Sequence, residues 1–101
     1  MTSITELTKK IVATRAARGF VTDPLKIQLL LTEEIGEISA ELKRTWSANY
    51  ESFDKNDLAE EIADAFVLLV ALADQFDIDM AEAVEQKFFR KDQNREWKTA
   101  Q

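Results

Sequence analysis

Two short acidic motifs, Glu33-Glu34-Ile35-Gly36-Glu37 and Glu60-Glu61-Ile62-Ala63-Asp64, each place carboxylates three residues apart. On an α-helix, with about 100° between successive residues, positions three or four apart lie side by side, so Glu34 and Glu37 project together and so do Glu61 and Asp64. Glu34 falls inside an apolar stripe of Ile27, Leu30, Leu31, Ile38 and Leu42, with Glu37 at its edge. Glu61 sits among Leu58, Ile62 and Ala65, and Asp64 is followed one turn later by Leu68. Carboxylates that face a helical interface are costly to bury unless something neutralises them. Four of them converging from two helices repel, and a hard divalent cation relieves that repulsion. All-oxygen ligands select Mg²⁺, with Mn²⁺ as a substitute, over zinc or copper. Mg²⁺ usually binds through a few carboxylates plus waters and substrate phosphates, so the expected substrate is a polyphosphate.

An acidic pair at helical spacing is in general a solvated face. Here both motifs intrude on apolar stripes, which favours the metal reading. Gly36 adds to it, because glycine inside a helix costs about 1 kcal/mol relative to alanine. Close approach of another element or a ligand would explain its presence.

Composition narrows the chemistry. The 101 residues are 46% hydrophobic and 32% charged, with 13 Lys and Arg against 19 Asp and Glu, a formal net charge of −6. There is no Cys and no His, which excludes a disulfide framework, a thiol nucleophile, an imidazole base and a His-ligated metal. Any catalysis must use carboxylates, Lys, Arg or hydroxyls. The negative balance without a basic patch opposes nucleic acid and anionic membrane as partners. The start, MTSITELTKK, lacks the apolar core of a signal peptide, and the longest apolar run, Ala65 to Ala73, is far shorter than the ~20 residues that span a bilayer. The expectation is one acidic, cytoplasmic domain over residues 1–101, small enough that self-association would help it.

Two glycines and one proline are too few for the turns of a sheet protein, so the fold is expected to be all-α. A first helix is predicted from Thr5 to Arg18, ending at Gly19 as a left-handed cap. Asp23-Pro24 starts a second helix that continues to Arg44. Thr45 to Asn56, rich in Trp46, Tyr50 and Phe53, reads as a loop. A third helix is predicted from Asp57 to Gln75. A fourth starts at Asp79, where Glu82 completes a capping pattern, and reaches towards Trp97. The second half of the third helix is apolar on every side, and such a helix must be covered all round. Three short partner helices do that poorly in a monomer, which predicts a dimer or higher oligomer with this helix near the interface.

The pattern E-E-x-x-E, a spacer of a few tens of residues, then E-x-x-D resembles that of the MazG-like all-α nucleoside triphosphate pyrophosphohydrolases. Glu33, Glu34, Glu37, Glu61 and Asp64 carry the match, and the likeness runs from about Leu25 to Val84 through LAEEIADAFVLLVALADQFDIDMAEAV. The resemblance implies a four-helix bundle-like fold assembled as a dimer or tetramer. It also implies that Glu34, Glu37, Glu61 and Asp64 ligate Mg²⁺, which binds the triphosphate. The implied reaction is hydrolysis of a nucleoside triphosphate to monophosphate and pyrophosphate, in the house-cleaning of surplus or non-canonical deoxynucleotides. Glu33 is the implied base orienting the attacking water. Glu60 is either a supporting or second-metal residue or a solvated one.

The last helix departs from the family pattern. Relatives often carry Lys, then Asn four residues later, then Arg three beyond; this stripe reads Lys87, Lys91 and Asn94, and a register using Arg95 and Trp97 puts Phe88 and Asp92 first. Lys87, Lys91 and Asn94 are candidate substrate contacts, and ordinary solvated side chains account for the two lysines equally well. Trp46 is the first candidate for stacking on the base, ahead of Phe20 and Tyr50, and each also suits a core or interface. Other readings are a phosphoribosyl-ATP pyrophosphohydrolase-like relative and a non-catalytic helical scaffold. A di-iron carboxylate bundle would need the Glu-x-x-His signature that a chain without His lacks.

Overall fold

A computed structural model describes residues 3–50 and 52–99. Among them the regular structure is entirely helical: α1 (Ile4–Ala17), α2 (Pro24–Lys43), α3 (Lys55–Asp74) and α4 (Met80–Val84), the last running on as a π-helical segment, Glu85–Lys91. Each start has a capping side chain, which satisfies amide groups that have no intrahelical partner. Ser3 Oγ accepts from the Glu6 amide at 3.1 Å, and Asp23 accepts from Leu25 and Lys26 at 2.9 and 3.2 Å. Pro24 at the first position needs no amide partner. Asp79 accepts from Glu82 at 3.0 Å.

Gly19, at φ 70°, lets the chain leave α1, with the Phe20 amide donating back to the Arg15 carbonyl at 3.1 Å. Arg15 then holds the connector, donating to the Val21 carbonyl at 2.7 Å while its guanidinium lies 5.2 Å from the centre of the Phe20 ring.

Two boundaries differ from the sequence expectation. α3 begins at Lys55, two residues before Asp57, because Asp54 caps it by accepting from the Asn56 amide at 2.8 Å. The aromatic loop is shorter accordingly, and residue 51 within it lies outside the described residues. The fourth helix stops at Lys91 instead of running towards Trp97, and from Glu85 it is π-helical. In a π-helix residues five apart become neighbours. The sequence supplies two opposite-charge pairs at that spacing, Glu85 with Arg90 at 3.4 Å and Lys87 with Asp92. Lys87 therefore meets Asp92 and not Lys91, and the Asp92 amide donates to the Lys87 carbonyl at 3.0 Å.

The most extensive packing is between α2 and α3, with α1 laid against α3 and α4 against α1. Ile27, fully buried, packs with Leu68 and Ala71, flanked by Val21, Leu31 and Leu72. Val12 and Ala13 of α1 share a cleft with Val70 and Ala73 of α3. Few side chains are fully covered, so this small cluster fixes how α2 lies on α3. Ile27→Ala is expected to destabilise the fold by about 2–5 kcal/mol, read as a lower midpoint in urea unfolding at unchanged slope.

Candidate metal centre

α2 and α3 run antiparallel, since Ile27 meets Leu68 and Ala71 while Glu34, two turns further along α2, meets Glu61 and Asp64 at earlier positions on α3. Glu34, Glu61 and Asp64 each offer a carboxylate oxygen, and these oxygens all lie within 4.8 Å of one another. Glu34 and Glu61 are half-buried and Asp64 is exposed, so the cluster opens to solvent on the α3 side.

Among the described residues the cluster has no protein cation. Among the described residues none of the three forms an ion pair, and Glu34 Oε2 is buried without a hydrogen-bond partner. Partial burial disfavours the charged form of Glu61, a hydrogen bond shared with Glu34 favours the protonated one, and the negative charges of Glu37, Glu34 and Asp64 add to both. Together they push the Glu61 carboxyl up from 4.5 to about 7. Two carboxyls can share a hydrogen bond only while one of them keeps its proton, and Glu34 Oε2 has no partner of its own. A divalent cation fits this donor set, replacing the proton and giving the buried oxygen a partner.

The remaining sequence candidates are spread around this centre. Glu37 lies outside the group of three and acts on it through its charge. Glu33 and Glu60, each next to a member of the cluster in sequence, are exposed on α2 and α3. Trp46 stands exposed in the turn after α2, and Tyr50 is held in the same loop with the Lys43 ammonium 5.1 Å from its ring centre. Phe20 is engaged by Arg15. Lys87 pairs with Asp92, Lys91 ends the π-helical segment and Asn94 lies in the turn beyond it. Among the described residues that segment packs chiefly on α4, so the structure of one chain does not lay these three residues on the α2–α3 hairpin.

Sequence reading passed over Glu41. It lies seven residues beyond Glu34 on the same stripe, its side chain is largely covered, and Arg44 approaches it at 3.4 Å. The four- and seven-residue spacings from Glu37 and Glu34 were the signal for it.

Fold and centre together define an all-α protein whose helical hairpin gathers carboxylates suited to a hard cation. Residues 22–98 match the family described as MazG nucleotide pyrophosphohydrolase domain. A Bacillus subtilis (strain 168) protein named "Uncharacterized protein YpjD" is 35% identical over 77 residues, covering 71% of this chain and 69% of that protein. The chain belongs to the MazG family. No helix of the described residues is long and apolar enough to cross a membrane.

The raised Glu61 pKa sets a pH dependence whose sign follows from linkage. A carboxyl that holds its proton more tightly when folded contributes stability fully present below 4.5 and lost as pH rises through about 7. In excess chelator the melting temperature is therefore expected to fall between pH 5 and pH 8. Mg²⁺ should raise it more at pH 8 than at pH 5, and Glu61→Gln should flatten both trends. Differential scanning fluorimetry at the two pH values, with and without Mg²⁺, measures this.

Proposed function

We propose that the protein is a Mg²⁺-dependent nucleoside triphosphate pyrophosphohydrolase, acting in the cytoplasm as a homo-oligomer, dimer or tetramer, on surplus or non-canonical deoxynucleotides. The observation that carries the reading is the convergence of Glu34, Glu61 and Asp64 within 4.8 Å, with no protein cation among the described residues to balance them. Membership of the MazG family supports the reaction class.

In this reading Glu34, Glu61 and Asp64 hold the cation, and Glu37 joins them or reinforces the negative field that attracts it. The bound ion would neutralise the triphosphate and stabilise the leaving pyrophosphate. Glu33 orients a water and takes its proton as the water oxygen bonds to the α-phosphorus. The bond from that phosphorus to the bridging oxygen breaks, and pyrophosphate leaves with the electron pair. Little covalent work falls on the protein, so placement of the carboxylates carries the catalysis. Lys87, Lys91 and Asn94 serve as phosphate or base contacts, and Trp46 as a stacking surface for the base.

The test is pyrophosphate release from a panel of deoxynucleoside and ribonucleoside triphosphates, with Mg²⁺ and with excess chelator. Chelator-sensitive release with one preferred nucleotide is the expected result. No release from any triphosphate by folded protein refutes the reading and turns attention to phosphoribosyl-ATP or to a scaffold. Glu34→Gln and Glu61→Gln are each expected to lower turnover at least 100-fold while circular dichroism shows an unchanged helical fold. Near-normal activity in either variant overturns the ligand assignment.

A further inference from the structure

The segment Glu85–Lys91 and the turn after it carry two charge patterns, one for each helical register. At the five-residue spacing of a π-helix, Glu85 meets Arg90 at 3.4 Å, and Lys87 meets Asp92. The Asp92 side chain is 18% exposed and lies 3.9 Å from Arg95, so one carboxylate faces two cations. The backbone follows the same register, with the Asp92 amide donating to the Lys87 carbonyl at 3.0 Å. At the α-helical spacing of about 100° per residue the same side chains sort by sign instead. Counted from Lys87, Arg90, Asn94, Lys91 and Arg95 fall at roughly −60°, −20°, 40° and 80°. Glu85 and Asp92 fall on the opposite side, at roughly 160° and 140°. An α register therefore makes a basic stripe in which Lys87, Lys91 and Arg95 follow one another at four-residue steps and repel. The π register pairs these charges, and among the described residues only Lys91 of the four cations has no acidic partner.

We propose that Glu85 and Asp92 hold this segment in the π register until a polyphosphate chain arrives, and that phosphate oxygens then take their place. The segment winds into an α-helix that presents Lys87, Lys91, Asn94 and Arg95 together. The inference deepens the nucleotide part of the proposed function and rests on it. Asp92 is a positioning residue, acting on the phosphates only through Lys87 and Arg95.

Packing leaves the register free to change. No residue of the segment is buried, and among the described residues it packs chiefly on α4. Phe88 and Phe89 are 65 and 59% exposed and touch each other edge to face, with ring centres 5.2 Å apart. No core has to be rebuilt when the helix rewinds, so charge decides the register. Without an anion, pairing favours the π form. A polyphosphate neutralises the basic stripe through charge-assisted hydrogen bonds and reverses that preference. π-helical turns are rare and occur mostly at functional sites, as expected of a backbone that must change.

Nuclear magnetic resonance reads the register directly. In excess chelator, so that the carboxylate centre takes no part, contacts from the Lys87 α-proton should reach the Asp92 amide in the free protein. Tripolyphosphate should shift them to the Lys91 amide, while sodium chloride at equal ionic strength leaves them unchanged and orthophosphate acts at least tenfold more weakly. Asp92→Asn should move the free protein towards the α pattern and bind tripolyphosphate at least threefold tighter, and Asp92→Glu should restore the original response. Glu96→Gln removes an equal charge from the same region without touching a pair, and should do neither. The inference is overturned if tripolyphosphate does not bind, if the register stays π at saturation, if chloride or orthophosphate shifts it equally, or if Glu96→Gln matches Asp92→Asn. No readout uses metal or turnover. Hydrolysis with an unmoved register refutes only the switch, and a switch without hydrolysis refutes only the proposed reaction.

Discussion

Like charges held within 4.8 Å in a partly covered cleft are stable only if a proton or a cation lies among them. Glu34, Glu61 and Asp64 impose that condition on the whole hairpin. Their convergence depends on how α2 is set along α3, and the setting comes from the few fully covered contacts of Ile27 with Leu68 and Ala71. Sliding α2 by one turn would move Glu34 about 5.4 Å along α3 and disperse the cluster. A small core therefore does two things at once. It stabilises the hairpin, and it forces together groups that on their own would separate.

Much of this was visible in the residues because the strongest local signals sit where the chain must turn or where charge enters an apolar stripe. Gly19, Asp23-Pro24 and Asp79 each mark a helix end through a conformational or capping need that few other residues meet. The intrusion of Glu34 and Glu61 into apolar stripes placed them on the packed side of their helices, where the structure has them half-buried. The start of α3 was harder to read. Asp54 caps it, but Asn56 and Asp57 just after it are weak helix formers, and the cap looked like part of the preceding loop.

The π-helical segment was not legible from a period of 3.6. Glu85, Lys87, Arg90 and Asp92 form their pairs at five-residue spacing, a register in which an α-helix places no neighbours. Reading Lys87, Lys91 and Asn94 as one stripe assumed α-helical geometry throughout. Glu37 illustrates a related limit. Spacing puts it beside Glu34, but its angle around α2 turns it towards the edge of the packing. It reaches the cluster through charge, while Glu34, Glu61 and Asp64 share the close group.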